Sequence, residues 1–140
     1  MYNSRIIIVP IMSTNMVSDI QKMYDKYGFN TYNFSEEKLN SFLDFRVNFI
    51  EEELSELKSA IEQRDKSEVV DAIIDIIVVA IGTLHLFDVD IHKAWDEVLK
   101  TNLMKKVGEK DTRKNNFGFP DLIKPEGWIS PTHSDNTGRL

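Results

Sequence analysis

The stretch EEELSELKSAIEQRDKSEVVDAIIDIIVVAI, residues 51–81, decides the fold, because it reads as two helices joined by a short polar link. Its first part contains an EExxE pattern. At about 100° per residue, Glu52, Glu53 and Glu56 lie on one side of a helix. The first half of the stretch therefore predicts a helix that presents a row of carboxylates.

A second row of acids follows in the next helix. Glu68, Asp71 and Asp75 are spaced three and four residues apart, which places them in one stripe. If the two helices pack antiparallel, the two rows face each other and repel unless a cation lies between them. Hard oxygen ligands at this density suit Mg²⁺, which binds a few carboxylates and completes its shell with water and substrate phosphates. The sequence predicts a helical, Mg²⁺-dependent enzyme that acts on a phosphate ester or anhydride.

Apolar periodicity and capping residues extend this hairpin to an all-α fold. Ser35 is a candidate N-cap for the second helix and Asp65 for the third, with Glu68 as its partner in a capping-box pattern. Gly28 is expected to stop the first helix. We predict helices over these approximate ranges: 17–27, 36–63, 65–87, and from Asp88 or Asp90 to near Lys106.

The third helix is the hardest to assign, because its β-branched residues favour a strand by propensity. The run is too long for a typical strand, and its acids recur at helical spacing. A helix that is apolar almost all round is expected to be central and buried. Its most apolar part, Ala72–Ile81, contains Asp75 and is far shorter than the roughly 20 residues that span a bilayer, so no membrane is expected.

Composition is that of one globular domain and excludes several classes of site. The chain has 140 residues, of which 41% are hydrophobic and 29% charged. Its net charge of −6 offers no basic footprint for nucleic acid. The absence of cysteine excludes disulfides, zinc–thiolate sites and thiol nucleophiles. The N-terminal apolar run stops at Pro10 and lacks a small-residue cleavage site, so the cytoplasm is the predicted location.

Three regions are predicted along the chain. Residues 1–12 form an extended segment, residues 13–107 the helical catalytic domain, and residues 108–140 an irregular tail. Residues 109–140 hold three of the four prolines and three of the six glycines, and we expect this tail to wrap the body and to fray after about Ser130. Because one helix is nearly all apolar, an isolated protomer would expose apolar surface, and a homo-oligomer is expected.

The ordered set of motifs resembles the all-α nucleoside triphosphate pyrophosphohydrolases, the superfamily of MazG, phosphoribosyl-ATP pyrophosphohydrolase and the dimeric dUTPases. The resemblance runs from about Val17 to Lys106. Several pieces are similar to short, single-domain MazG-like proteins common in bacteriophages, which would place a phage-encoded protein in the host cytoplasm. These pieces are FRVNFI (45–50), DAIID (71–75), TNLMK (101–105) and DLIKPEGW (121–128).

The resemblance implies hydrolysis of an NTP or dNTP between the α and β phosphates, and a dimer or tetramer. It implies Mg²⁺, with Mn²⁺ as a substitute. The implied ligands are Glu53, Glu56, Asp71 and Asp75. Glu52 is either a further ligand or, with Glu53, a catalytic residue. The family's second motif is usually ExxD, which Glu68 and Asp71 fit literally, whereas alignment on the apolar run selects Asp71 and Asp75.

Substrate-binding roles are implied for four further residues. Asn102 and Lys105 would hold phosphate oxygens, Arg46 would reach a phosphate or the base, and Tyr24 would stack in a base pocket near the first helix. Each role has a structural alternative. The glutamates could form a solvated helix face. Arg46 could form an ion pair with the acids, Lys105 could be a helix-end cation, and Tyr24 could belong to the core.

Two other functions stay open at this stage. One is a non-catalytic helical dimerisation or regulatory module whose acids are only surface. The other keeps the chemistry and changes the substrate to a nucleotide derivative, such as phosphoribosyl-ATP or an alarmone.

Overall fold

Four α-helices form the body of the protein in a computed structural model whose described residues are 13, 15–113 and 116–140. They are α1 (Met16–Tyr27), α2 (Glu36–Glu62), α3 (Lys66–Leu86) and α4 (Ile91–Leu103). The all-α prediction is confirmed, and α4 ends a few residues earlier than predicted. The predicted extended segment 1–12 lies outside the described residues.

Each helix begins where a polar side chain accepts a hydrogen bond from the backbone of the first turn. The predicted caps are confirmed: Ser35 accepts from Lys38 N at 3.2 Å, and Asp65 accepts from Ser67 N and Glu68 N at 3.1 Å. These bonds satisfy amides that have no partner within the helix. The four boundaries are therefore encoded locally.

The hairpin of α2 and α3 is the main packing unit, and α1 lies against α3. Gly82 of α3 makes the second contact possible. A Cβ at this position would lie 1.9 Å from the Tyr24 hydroxyl. Tyr24 then forms a buried cluster with Ile20 and Leu86, and a second cluster joins Leu39, Phe87 and Val89.

Much of α3 is exposed in the protomer, which differs from the prediction of a central, buried helix. Val70 is 63% exposed, and Ile73 and Ile74 are exposed as well. The reason is that α1 and α2 cover one side of α3, whereas α4 touches it only weakly. By length and hydropathy α3 also meets the criteria for a membrane span. It nevertheless carries Asp71 and Asp75 and packs along α2, as a helix of a bundle does.

The tail is mostly irregular, but it contains two short strands that the sequence did not predict. Strand β1 (Lys106–Gly108) pairs antiparallel with β2 (Asp121–Ile123). The fraying predicted after Ser130 is not observed, because contacts continue to Arg139, whose backbone N–H donates to Phe87 O at 2.8 Å. Partners this distant in sequence leave no local pattern.

Candidate active site

Glu53 stands at the centre of a cluster of carboxylates shared by α2 and α3. It is 8% exposed, and its Oε2 atom is buried with no hydrogen-bond partner. Burial raises the pKa of Glu53, and the charges of Glu56, Asp75, Glu52 and Asp71 raise it further. The two rows of acids predicted from the sequence therefore come close enough to act on one another.

The charges around Glu53 also bear on the two readings of the second acidic motif. Asp71 and Asp75 are among the groups that raise the pKa of Glu53, and Glu68 is not. Glu68 lies in the first turn of α3, where its backbone N–H is bound by Asp65. Asp71 and Asp75 are thus the acids of α3 whose charges act on Glu53, and which register supplies metal ligands stays a prediction.

The cluster has the kind of ligands that a metal ion needs, but its side chains stand too far apart to hold one as they are. Among the described residues, no three histidine or acidic side chains converge closely enough to hold a metal as they stand. The orphaned Oε2 of Glu53, surrounded by four carboxylates, is nevertheless a site where only a cation or a proton relieves the burial of charge.

A cavity of about 620 Å³ opens beside the carboxylates, between α1, α2 and α3. Glu53 and Asp75 lie in its wall, and the rest of the lining is largely aromatic and aliphatic. The aromatic members are Tyr24, Phe29, Phe34, Phe42, Phe45 and Phe49. A pocket of this size, apolar with a few convergent polar groups, is typical of a small-molecule site.

Arg46 lies in the same wall and is 7% exposed. Its Nε donates to Thr83 Oγ1 at 2.9 Å, and its Nη2 donates to the Tyr24 hydroxyl and to Val79 O, both at 3.0 Å. All of these acceptors are neutral. The ion pairs found within the described residues do not include Arg46, so the proposed pairing with the acids is wrong. The guanidinium thus places a positive charge, bound to neutral acceptors, in the wall of the cavity.

Tyr24 is a wall of the cavity rather than a free stacking platform. It is 4% exposed, and its ring packs edge-on against Phe29 and His85. Its hydroxyl accepts from Arg46. The residue therefore holds Arg46 in place and belongs to the core, which was the structural alternative.

Asn102 and Lys105 do not line this cavity. They lie at the end of α4, where Asn102 O accepts from Lys105 N at 3.1 Å. Lys105 Nζ lies 5.4 Å from the centre of the Trp128 ring, and the indole N–H of Trp128 donates to Thr101 O. The described protomer therefore does not bring these two residues to the carboxylates, and their phosphate-binding role stays a prediction.

Sequence reasoning missed most of the cavity lining. The three phenylalanines of α2 repeat at helical spacing, a pattern that is typical of core positions, yet Phe45 is 59% exposed. Phe29, Asn30 and Phe34 belong to the loop between α1 and α2, where no periodicity exists to mark them. The high density of aromatic residues between 27 and 49 is the signal in the sequence that could have indicated this lining.

Residues 18–102, more than half of the chain, match the sequence model of a family described as phosphoribosyl-ATP pyrophosphohydrolase. The matched segment runs from α1 to α4 and includes every carboxylate of the cluster. No curated protein matches the chain with significance. The family lies within the superfamily that the sequence motifs resemble, so that resemblance is confirmed. The chain belongs to the phosphoribosyl-ATP pyrophosphohydrolase family and is a pyrophosphohydrolase of the MazG-like superfamily.

Proposed function

We propose that this protein is a Mg²⁺-dependent nucleoside triphosphate pyrophosphohydrolase that cleaves an NTP or dNTP to the monophosphate and pyrophosphate. The observation that carries the proposal is the position of Glu53, a buried carboxylate without a partner, in the wall of an aromatic cavity. The aromatic rings suit a nucleobase and the carboxylates suit the cation that accompanies a triphosphate. Family membership supplies the reaction class.

The carboxylates would share the work of holding Mg²⁺, or Mn²⁺ as a substitute, and of handling the attacking water. The proposed metal ligands are Glu53, Glu56, Asp71 and Asp75. When bound, the ion neutralises the triphosphate and makes water more acidic. Glu52, exposed beside the cluster, accepts the proton of the attacking water at a carboxylate oxygen. Water attacks the α phosphorus, the bond to the bridging oxygen breaks, and pyrophosphate leaves with that oxygen.

Arg46 would provide the positive charge for the substrate at the cavity. Its three hydrogen bonds to neutral acceptors fix the guanidinium, so little conformational entropy is lost when it meets a phosphate oxygen. We assign it to substrate binding, where it offsets developing negative charge. Tyr24 contributes by holding Arg46.

Phosphoribosyl-ATP is the second candidate substrate, because the matching family is described by that activity. This nucleotide carries an additional ribose phosphate, which needs a further cationic partner. Among the described residues that line the cavity, Arg46 is the one cation. This observation favours a simple NTP or dNTP over phosphoribosyl-ATP.

We further propose that the protein acts as a homodimer or a dimer of dimers. Exposed apolar residues lie on α2, α3 and α4, and they include Val47, Leu54, Val70, Ile73, Ile74, Trp95 and Leu99. Apolar surface spread over three helices is typical of subunit contacts. A second protomer would also be a way for Asn102 and Lys105 to reach phosphates. A monomer at micromolar concentration in light scattering would contradict the proposal.

The test is incubation of the purified protein with each common NTP and dNTP and with phosphoribosyl-ATP, in Mg²⁺ and in chelator. Metal-dependent release of monophosphate and pyrophosphate from an NTP or dNTP is the expected result. If phosphoribosyl-ATP alone is turned over, the reaction class stands and the substrate is phosphoribosyl-ATP rather than an NTP or dNTP. No turnover, together with a melting temperature that Mg²⁺ does not raise, would favour the non-catalytic module.

A further inference from the structure

The last residues of the chain, 135–140, form a strap that reaches the loop between α1 and α2. Arg139 makes the contact. Its Nη1 donates to Thr31 O at 2.7 Å and to Thr31 Oγ1 at 3.2 Å, and its Nη2 donates to Phe34 O at 2.9 Å. One planar guanidinium thus joins two carbonyl groups at either end of a short loop segment.

The strap is itself held on the α3–α4 corner. The Asn136 side chain forms two hydrogen bonds with the backbone of Asp90: it accepts from the N–H at 2.9 Å and donates to the C=O at 2.8 Å. Lys93 and Asp135 form an exposed ion pair. Gly138 has φ +56°, and a Cβ there would lie 2.0 Å from Phe87 O, so the chain can pass this point only as glycine. The strap therefore has a fixed course.

The loop that Arg139 holds is one wall of the cavity. Phe29, Asn30 and Phe34 line the cavity from this loop. Thr31 is 3% exposed and donates to Leu86 O at 2.6 Å, which ties the loop to the end of α3. Phe34 N–H donates to Thr31 O, and the Phe29 and Phe34 rings pack on α1 and α2, whereas Arg139 supplies the hydrogen bonds that join the loop to the tail.

We propose that Arg139 is a positioning residue that sets substrate affinity by holding the loop 29–34 as a wall of the cavity. The proposal rests on the proposed function, since it assumes that the cavity receives the substrate. A loop that loses hydrogen bonds opens at a lower free-energy cost. A ligand that must first order a wall of its binding cavity binds less tightly. Arg139 donates to the loop backbone and is absent from the cavity lining, so it acts through the loop rather than on the substrate.

The experiment compares the wild type with Arg139→Ala and Arg139→Lys, with Lys93→Ala as the matched control. Lys93→Ala removes a contact of the same strap that does not touch the loop. For Arg139→Ala we expect KM to rise about tenfold, the loss of roughly one charge-assisted hydrogen bond, with kcat unchanged. Arg139→Lys should recover little of this, because an ammonium cannot bridge two carbonyls as the planar fork does. Lys93→Ala should resemble the wild type.

Hydrogen–deuterium exchange gives a readout that does not depend on turnover. Arg139→Ala should speed exchange at the Phe34 amide and leave the amides of α2 unchanged. The inference is overturned if Arg139→Ala changes neither KM nor exchange. It is also overturned if kcat falls about tenfold and exchange rises throughout the protein. If Arg139→Ala does not fold, Arg139→Lys carries the same test. A wild type that turns over no nucleotide overturns the proposed function, whereas the exchange result still decides whether Arg139 fixes the loop.

Discussion

Buried polar groups are unpaired in the cavity wall at Glu53 and paired at the corner where Thr31 meets Arg139. Glu53 has a buried oxygen with no partner and four like charges around it. Thr31, equally buried, donates to Leu86 O and accepts from Arg139. The paired corner stabilises the fold, whereas the unpaired carboxylate costs stability until a ligand arrives. We therefore assign Glu53 to function and the Thr31 corner to the stability of the fold.

The largest expected effect is on turnover. Glu53→Gln should lower kcat/KM by about 10³-fold, because it removes a charge that the metal and the transition state require, a loss of roughly 4 kcal/mol. Steady-state release of pyrophosphate in Mg²⁺ measures it. Glu51→Gln is the matched control, since Glu51 lies on the same helix and does not contribute to the raised pKa of Glu53. Equal activity in both variants would remove Glu53 from the active site.

The next effect sharpens the comparison, because Arg46 lies in the same cavity wall as Glu53 while its polar atoms are paired, as those of Thr31 are. Arg46→Ala should lower the free energy of unfolding by about 3 kcal/mol, since it removes three hydrogen bonds and leaves the Tyr24 and Thr83 hydroxyl oxygens without the donor that they accept from. Urea unfolding measures the loss. Tyr24→Phe is the companion variant, and it should cost about 1 kcal/mol by removing one of those acceptors. A fully stable Arg46→Ala protein would show that these bonds contribute nothing net.

At the paired corner the effect should be on stability, with kcat unchanged. Thr31→Val removes the hydroxyl that donates to Leu86 O and should lower the free energy of unfolding by about 2 kcal/mol. Thr31→Ser keeps the hydroxyl and is the control. Chemical denaturation of both variants, alongside kcat at saturating substrate, makes the measurement. A large fall of kcat in Thr31→Val with unchanged stability would reverse the roles assigned to the two regions.

The smallest expected effect is a pH dependence of stability without metal. The pKa of Glu53 is raised on folding, so its stabilising contribution is complete below the pKa of glutamate in the unfolded chain. That contribution is lost as pH rises through the folded pKa. In chelator, Glu53→Gln should therefore be more stable than the wild type by about 1 kcal/mol near pH 7, and about equal to it near pH 3.5.

The measurement for this pH dependence is urea unfolding at both pH values, repeated with Mg²⁺ at neutral pH. Mg²⁺ should raise the stability of the wild type and have less effect on Glu53→Gln. A difference between the two proteins that shrinks as pH rises would contradict the assigned direction of the Glu53 pKa shift.

The sequence predicts the part of the site that depends on helical periodicity. Glu52, Glu53 and Glu56 were placed on one face from spacing alone, and the structure brings them to Asp71 and Asp75. Arg46 was named as a candidate and lies in the cavity wall, but its partners were not foreseen. Thr83 and Val79 are more than thirty residues away along the chain, and a backbone carbonyl has no signature in the sequence.

The local sequence determined the helices, their caps and the two acidic stripes, because these depend on residues within a few positions of one another. Tertiary structure alone decided the depth of Glu53, the aromatic cavity and the neutral partners of Arg46. It also decided that contacts with the body continue to Arg139, which is bound to a loop more than a hundred residues earlier. Such contacts arise from the packing of whole elements, which the pattern of neighbouring residues does not encode.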